Sequence, residues 1–332
     1  MNINKITILG AGSWGTTLAI LLSDKGFDVV LWEKFQDNCQ SLIKNRENTK
    51  FLPGVKIPAN IKIENNLKNA CKQSEIIILA VPSHVLRELL KELKSYYFND
   101  KILVSVIKGI ENETLFRVSE VVKDILGTAP FVALSGPTHA EEVAKKIPST
   151  IVASSCNPEL SKVIQNIFVT DYFRVYTNDD LIGVELSGSL KNIIAIAAGI
   201  SDGLGFGDNS KAALLTRGLA EITRLGAAMG AKPATFAGLT GMGDLITTCI
   251  SKYSRNRQVG LHLATGEKLE QILKNMVMVA EGVKTTKSAY KLAEKFNIDM
   301  PITCEMYNVL FNDKAPRLAV RDLMMREYKS EN

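Results

Sequence analysis

The sequence has 332 residues, too many for one hydrophobic core of ordinary size, so it predicts two domains. Its hydrophobic share of 46% and charged share of 23% are typical of a water-soluble globular protein. The formal net charge of +5 is too small and too dispersed to indicate a nucleic-acid partner, although it suits an anionic substrate and cofactor. No apolar run approaches the roughly 18–20 residues of a membrane helix, so we expect no transmembrane segment.

The cysteines and histidines exclude several classes of site. The five cysteines are an odd number without a CxxC pair, which favours reduced thiols in a cytoplasmic protein. His84, His139 and His262 lie far apart without the spacing of metal ligands, so we expect no metal site. The first apolar stretch runs directly into a glycine turn and does not have the layout of a signal peptide. We also expect a homodimer.

The first half of the chain alternates short apolar strands with helical segments. A helix is predicted from about Trp14 to Lys25, where Gly26 ends it. Strands that are apolar throughout, rather than alternating, are typical of a parallel sheet with helices on both faces. The strands are predicted at residues 5–9, 27–32, 76–81, 102–106, 131–134 and 150–153.

From about residue 185 onward the periodicity becomes helical, with few β-rich runs. Glycines at residues 199–207 and 238–243 predict loops between the helices. We therefore place a domain boundary near residue 187. The predicted helices lie at residues 185–199, 211–229, 257–265, 267–274, 285–296 and 302–310.

The turn Gly10-Ala11-Gly12-Ser13-Trp14-Gly15 follows the first strand and opens the first helix. One glycine allows the tight turn, one lets the backbone approach a pyrophosphate, and one lets helix and strand pack closely. A helix N-terminus also favours anions, through its free amide groups and its dipole. The motif alone is weak, but its position between a strand and a helix at the start of the chain predicts a dinucleotide site.

The fold class is therefore α/β: an N-terminal Rossmann-type parallel sheet with a C-terminal all-helical domain. Residues 1–187 are predicted to form the dinucleotide-binding domain, and residues 188–332 the helical substrate and catalytic domain. About 20 residues after the glycine turn, an acidic residue usually binds the ribose of NAD. Glu33 at this point favours NAD, whereas Lys34 would suit the 2′-phosphate of NADP, so both cofactors stay open.

Polar residues follow three of the predicted strands, at residues 81–84, 106–109 and 134–138. Ligands of open α/β sheets bind beyond the carboxyl ends of the strands, so these residues are candidates for the site. Lys108 is the clearest of them, because it would face a phosphate or the substrate. The alternative is a lysine in a solvated loop.

Lys191 lies inside a strongly apolar helix, followed by Asn192. A buried lysine has a pKa depressed towards neutrality and can transfer protons at pH 7, unless its side chain reaches the surface instead. Asp244 directly follows two close glycines and could hold that lysine, or could simply cap a helix. Arg255 and Asn256 could clamp a phosphate, or could form a solvated polar turn.

Together these segments resemble the NAD(P)-dependent sn-glycerol-3-phosphate dehydrogenase family, over about residues 5–320. The bacterial form is the most similar, in its length and in Val279-Ala-Glu281-Gly282. Two positions depart from its pattern: His139 replaces a usual Phe, and Lys34 replaces a common His or Arg. The segments that carry the resemblance are residues 10–15, 48–53, 108–109, 136–138, 191–192, 202–209, 244 and 254–257.

The resemblance implies the interconversion of dihydroxyacetone phosphate and sn-glycerol 3-phosphate with NADP or NAD, feeding phospholipid synthesis. Lys191 would exchange a proton with the C2 oxygen. Asp244 would be the second catalytic residue and would orient Lys191. The implied substrate-binding residues are Lys108, Gly136, Thr138, Lys191, Asp244, Ser254, Arg255 and Asn256. The implied cofactor-binding residues are Gly10, Gly12, Ser13, Trp14, Gly15, Lys34, Lys108, Ala140, Arg255, Val279 and Glu281.

Two other functions compete with this interpretation. A different two-domain dehydrogenase, acting on a β-hydroxy acid or a sugar acid, would share the sheet, the helical domain and a lysine. The Arg255-Asn256 pair and the loop at residues 203–209 argue against it. A redox sensor would bind the dinucleotide without turning it over. An inward lysine beside Asp244 argues against a sensor, which does not need a proton shuttle.

Overall fold

The computed structural model describes residues 3–96, 101–328 and 330–331. Its N-terminal part is an eight-stranded sheet with the order β3-β2-β1-β4-β5-β6-β7-β8. Every neighbouring pair is parallel except β6 with β7. The strands are β1 (Lys5–Leu9), β2 (Asp28–Trp32), β3 (Lys62–Glu64), β4 (Ile76–Leu79), β5 (Ile102–Ser105), β6 (Phe131–Ser135), β7 (Ser149–Ser154) and β8 (Phe173–Asn178).

Helices connect the strands and then form the rest of the chain. In the sheet region they are α1 (Ser13–Asp24), α2 (Gln36–Asn45), α3 (Leu67–Cys71), α4 (Leu86–Lys94), α5 (Val118–Leu126), α6 (Ala140–Val143) and α7 (Pro158–Phe168). After β8 they are α8 (Leu181–Gly203), α9 (Asp208–Ala228), α10 (Pro233–Phe236), α11 (Asp244–Ile250), α12 (Arg255–Ala264), α13 (Leu269–Asn275), α14 (Glu281–Phe296), α15 (Pro301–Phe311) and α16 (Pro316–Met324).

The sheet is buried on both faces, which is why its central strands are apolar throughout. In β4, Ile76 and Ile78 pack in the cluster that holds side chains of α1 and α7. Ile77 and Leu79 point the other way, into the cluster that holds side chains of α4 and α5. This arrangement and the largely helical region after β8 confirm the predicted fold class.

Three predictions about the sheet were incomplete or wrong. β3 and β8 were not predicted, because β3 is short and one face of β8 is exposed, so its buried and exposed residues alternate. The sheet was expected to be parallel throughout, but β6 and β7 run antiparallel. Residues 136–148 between them hold only the one-turn helix α6, so the chain turns back beside β6 without a long helical crossover.

Helix α8 forms the centre of the helical region. Asp180 caps the start of α8 by accepting a hydrogen bond from the Gly183 N–H at 2.9 Å. The helix runs to Gly203, so most of the loop predicted at residues 199–207 is helix instead. The second predicted loop, at residues 238–243, is a π-helical turn over residues 239–243. By length and composition α8 could cross a membrane, but 94% of its most apolar window is buried within the fold. The predicted domain boundary at residue 187 falls inside this helix and stays a prediction.

The glycine turn between β1 and α1 shows why two of its three glycine positions lack a side chain. Gly10 has φ +118°, and a Cβ there would lie 2.6 Å from the Ala80 carbonyl oxygen. A Cβ on Gly15 would lie 2.0 Å from the Gly10 carbonyl oxygen, so α1 could not pack on the turn. A Cβ on Gly12 would meet nothing within 4 Å, which leaves open space beside the N-terminus of α1.

These contacts predict opposite effects for two substitutions in the turn. Gly15→Ala should lower the free energy of unfolding by about 3 kcal/mol, because the added methyl group collides with backbone that cannot move away. Gly12→Ala should lower it by less than about 1 kcal/mol, because that position is an uncrowded N-cap. Urea unfolding followed by circular dichroism measures both. Equal losses would contradict this account of the turn.

Candidate active site

A cavity of about 910 Å³ lies where the carboxyl ends of the central strands face the helical region. The strand order reverses between β1 and β4, the place where open α/β sheets bind their ligands. Gly15 and Gly136 are the two predicted site residues that do not line this cavity. The predicted residues that do are Gly10, Gly12, Ser13, Trp14, Lys34, Lys108, Thr138, Ala140, Lys191, Asp244, Ser254, Arg255, Asn256, Val279 and Glu281.

Lys191 projects from the middle of α8 and is only 4% exposed, so its side chain does not reach the surface. Its Nζ donates to Thr248 Oγ1 at 2.5 Å and lies 3.0 Å from Asp244 Oδ1. Burial lowers the pKa of Lys191 to about 8, although the carboxylate of Asp244 opposes the shift. Lys191 can therefore exchange a proton near neutral pH.

Asp244 is the first residue of α11, and the N-cap position before it is Gly243, so Asp244 is not the capping residue. Instead it joins two lysines from different parts of the chain: Oδ2 accepts from Lys108 Nζ at 2.6 Å, and Oδ1 faces Lys191. Burial acts to raise the pKa of Asp244, but the two ammonium groups outweigh it and hold this pKa below its usual value. Asp244 is therefore a carboxylate at neutral pH.

Lys108 reaches this carboxylate from the carboxyl end of β5. Its Nζ also donates to the Gly136 carbonyl at 2.9 Å, so Gly136 contributes through its backbone although it does not line the cavity. Thr138 Oγ1 donates to the same carbonyl at 3.3 Å. The ends of two neighbouring strands and helix α11 thus meet at one charged cluster.

Thr248 is a site residue that was not predicted from the sequence. Its hydroxyl accepts from Lys191 and donates to Asp244 Oδ1 at 3.1 Å, so it bridges the two groups. Thr248 lies one helical turn after Asp244 on α11, where side chains share a face. That spacing is visible in the sequence and could have indicated the bridge.

The Ser254-Arg255-Asn256 segment begins helix α12. Ser254 caps the helix, accepting from the Arg257 N–H at 3.2 Å, and the Arg255 side chain lies at the cavity wall, donating to the Val279 carbonyl at 3.1 Å. Asn256 is buried, and both ends of its amide are bonded. It donates to Asn192 Oδ1 at 2.9 Å and accepts from the Gly282 N–H at 2.9 Å. Arg255 is thus the more available member of the pair for a phosphate.

At the other end of the cavity, Glu33 and Lys34 differ in what they offer a ligand. Glu33 is 6% exposed, and its carboxylate already accepts from the Phe35 N–H at 3.0 Å and from Asn38 Nδ2 at 2.7 Å. Both residues line the cavity, but Lys34 is exposed. The cation is therefore the more accessible of the two charges, while the carboxylate is hydrogen-bonded within the protein.

His139 lines the cavity beside the Lys191–Asp244 cluster. Its ring centroid lies 5.9 Å from that of Tyr253. Burial lowers the pKa of His139 to about 4, and the ammonium groups of Lys191 and Lys108 add to this effect, so the ring is neutral at neutral pH. Among the described residues no group of three or more His, Cys, Asp or Glu side chains could hold a metal ion.

Comparison with known proteins identifies the family. The sequence models for the N-terminus and C-terminus of NAD-dependent glycerol-3-phosphate dehydrogenase match residues 5–161 and 180–321. The chain belongs to this family. A glycerol-3-phosphate dehydrogenase [NAD(P)+] of Thermoanaerobacter sp. (strain X514) is 52% identical over 327 residues, 98% of each chain. One from Clostridium botulinum (strain Eklund 17B / Type B) is 50% identical over 329 residues, 99% of each chain.

A crystal structure of the Coxiella burnetii glycerol-3-phosphate dehydrogenase is 39% identical, with a TM-score of 0.95 over 98% of this chain and 99% of that one. Family membership confirms the resemblance, the enzyme class and the nicotinamide cofactor predicted from the sequence. It decides against a hydroxy-acid or sugar-acid dehydrogenase, and against a sensor without turnover. The roles of individual site residues stay predictions.

The pKa of Lys191 predicts pH profiles of opposite sign for the two directions of an alcohol–ketone interconversion. If Lys191 is the acid–base group, alcohol oxidation needs its neutral amine as a base, so kcat/KM should rise with pH through about 8. Ketone reduction needs the ammonium as an acid, so kcat/KM should fall as pH rises through about 8. Initial rates at 340 nm between about pH 6 and 10 measure both. Asp244→Asn should move the midpoint of both pH profiles to lower pH, because the carboxylate that favours the ammonium form of Lys191 is lost. An unchanged midpoint would contradict the pairing of Lys191 with Asp244.

Proposed function

We propose that this enzyme interconverts dihydroxyacetone phosphate and sn-glycerol 3-phosphate with a nicotinamide dinucleotide, and so supplies glycerophospholipid synthesis. The observation that carries the proposal is the buried Lys191–Asp244–Lys108 cluster in the same cavity as the glycine turn. The cluster offers a proton donor beside a cation, which suits a phosphorylated ketone. At the glycine turn, the N-terminus of α1 is open because Gly12 has no side chain, which suits a pyrophosphate.

Lys191 is the proposed proton donor and acceptor at the C2 oxygen. The bound dinucleotide supplies or accepts the hydride at C2 of the substrate. In reduction, the ammonium of Lys191 protonates the alkoxide as it forms, and Asp244 and Thr248 hold that ammonium in place. Because the cluster is buried, its charges act in a medium that screens them less than water does.

The substrate phosphate is proposed to lie against Arg255, at the wall of the cavity. A guanidinium binds phosphate through paired hydrogen bonds, and its interaction away from the reacting carbon helps to orient the carbonyl. Thr138, Ser254 and Lys108 are proposed to complete the substrate site from the ends of β6, α12 and β5. Asn256 is proposed to act mainly by orienting Asn192, because both ends of its amide are bonded.

The dinucleotide is proposed to extend from the glycine turn to Lys34 in one direction and towards the Lys191–Asp244–Lys108 cluster in the other. Ser13, Trp14, Ala140, Val279 and Glu281 line this path. We propose that NADPH is preferred over NADH. Lys34 presents a cation to the cavity, and the carboxylate of Glu33, which would repel a 2′-phosphate, is held by Asn38 and the Phe35 N–H.

We further propose a cytoplasmic homodimer with a dinucleotide domain at residues 1–187 and a substrate domain at residues 188–332. All five cysteines are free thiols, which suits a reducing compartment. Large apolar side chains are exposed on the last helices and on the turn after α16, and a second subunit could cover them. They include Phe296, Phe311, Leu318, Met324 and Met325.

The assay that tests the proposed reaction is reduction of dihydroxyacetone phosphate, followed by loss of nicotinamide absorbance. Lys191→Ala should lower kcat by about 10²–10⁴, because general acid–base help is lost, with dinucleotide affinity largely kept. Lys101→Ala is the matched control, since Lys101 is also buried but donates to the Ser74 carbonyl away from the cavity. A Lys191→Ala enzyme with normal turnover would refute the assignment.

The cofactor preference is tested by comparing NADPH and NADH in the same assay. Lys34→Ala should raise KM for NADPH about tenfold, because a charged partner of the 2′-phosphate is removed, and should leave KM for NADH nearly unchanged. Lys44→Ala, on the exposed side of α2, controls for loss of a surface charge. Equal effects of Lys34→Ala on both dinucleotides would place the 2′-phosphate elsewhere.

A further inference from the structure

A pair of hydrogen bonds joins the sheet region to the helical region at the edge of the cavity. Glu281 is the first residue of α14, and Ser83 follows the carboxyl end of β4. The Ser83 N–H donates to Glu281 Oε1 at 2.8 Å, and the Ser83 hydroxyl donates to Glu281 Oε2 at 2.6 Å. Both carboxylate oxygens thus accept hydrogen bonds from a single residue of the sheet region.

Residues 276–280, which precede Glu281, are called the strap. We infer that Ser83 is a positioning residue for the dinucleotide: by hydrogen bonding to Glu281, it holds the strap against the cavity. The strap connects α13 to α14, and its residues Val277, Met278 and Val279 line the cavity. This inference goes beyond the proposed reaction, but it rests on the proposed dinucleotide path.

The strap also contacts groups assigned to both ligands. Met278 Sδ lies 3.8 Å from Ser13 Oγ, within the glycine turn. The Val279 carbonyl accepts from Arg255 Nη1 at 3.1 Å. With Glu281 fixed by Ser83, the strap is therefore held at three points, and each point borders the ligand space. If the Ser83 contact is lost, the strap has a weaker connection to the sheet region.

Gly109 provides an independent observation for the same pair. A Cβ on Gly109 would lie 2.5 Å from Ser83 Cβ, 2.6 Å from Ser83 Oγ and 3.1 Å from Glu281 Oε2. The bare backbone of Gly109 therefore packs directly against the Ser83–Glu281 pair. Gly109 follows Lys108, which binds Asp244, so the pair abuts the segment that carries a residue of the charged cluster.

The strength of the pair follows from the charge of its acceptor. Hydrogen bonds to an ionised group are stronger than neutral ones, and Ser83 makes two of them. Dinucleotide affinity falls in proportion to the fraction of enzyme that is competent to bind, so releasing the strap weakens binding. Among the described residues, no hydrogen bond or ion pair joins Ser83 to Lys191, Asp244 or Thr248, so chemistry in the saturated enzyme should be affected little.

The test is Ser83→Ala, compared with Ser119→Ala as a matched control. Ser119 binds Glu185 with the same geometry: its N–H donates to Oε1 at 2.8 Å and its hydroxyl to Oε2 at 2.6 Å. This second pair links α5 to α8, and neither residue lines the cavity. Both substitutions remove a hydrogen bond from a serine hydroxyl to a glutamate. A change in dinucleotide affinity caused only by lower stability would therefore appear in both variants.

Titration of protein fluorescence with NADPH gives the dissociation constant. Ser83→Ala should raise Kd and KM for NADPH about tenfold, as expected for loss of a charged hydrogen bond, with kcat within about threefold. Ser119→Ala should leave Kd within about twofold. An unchanged Kd in Ser83→Ala, or an equal rise in Ser119→Ala, would overturn the inference.

A double-mutant cycle tests whether Ser83 acts through Glu281. The double variant Ser83→Ala/Glu281→Ala should bind NADPH about as weakly as Glu281→Ala alone, because the Ser83 hydroxyl then has no carboxylate to bind. Additive effects would overturn the inference. Gly109→Ala should raise Kd as well, since its methyl group would push the pair apart.

Hydrogen exchange of the enzyme without dinucleotide separates this inference from the proposed function. Amides of residues 276–282 should exchange faster in Ser83→Ala than in the wild type, and should not change in Ser119→Ala. Unchanged exchange in Ser83→Ala would overturn the strap contact. If the wild type bound neither NADPH nor NADH, the proposed cofactor would be wrong, whereas the exchange measurement would still decide whether Ser83 holds the strap.

Discussion

The site depends on one buried carboxylate that binds two lysines. Asp244 is 2% exposed and accepts from Lys108 and Lys191. Removing charged groups from water is costly, and the cost is offset only where opposite charges and hydrogen bonds meet in good geometry. Thr248 and the Gly136 carbonyl supply two of these bonds. The arrangement keeps Asp244 ionised while leaving Lys191 able to lose its proton near neutral pH.

That cluster in turn constrains the fold around it. Lys108 comes from β5, Lys191 from α8 and Asp244 from α11, so sheet and helical regions must meet closely at this point. Gly188, one turn before Lys191, makes the approach possible, since a Cβ there would lie 2.5 Å from Ser135 Oγ at the end of β6. The first turns of α8 thus belong to the packing of the sheet, and later turns to the helical core. The sheet region and the helical region are therefore joined through a continuous helix at residue 187.

Local patterns predicted most of the fold because they reflect short-range constraints. Strands buried on both faces must be apolar throughout, and a pyrophosphate-binding turn must lack side chains where backbones touch. The strands β3 and β8, at the two edges of the sheet, do not follow this rule because they are not buried on both faces. β8 alternates and β3 has a single buried residue, so neither showed the apolar run that marked the central strands. The direction of β7 depended on how the chain turns after β6, which no local pattern expresses.

By itself, the sequence determined the glycine turn, the central strands, the long helices α8, α9 and α14 and, through its family motifs, many of the residues that line the cavity. The pairing of Lys191 with Asp244 was expected from the sequence. Only the tertiary structure decided three further pairs: Lys108 on Asp244, Asn192 on Asn256, and Ser83 on Glu281. Each of these pairs joins residues far apart in the chain. A motif reports the backbone conformation and burial of its own segment, whereas a hydrogen bond between segments depends on angstrom-scale placement set by the packing of the whole fold.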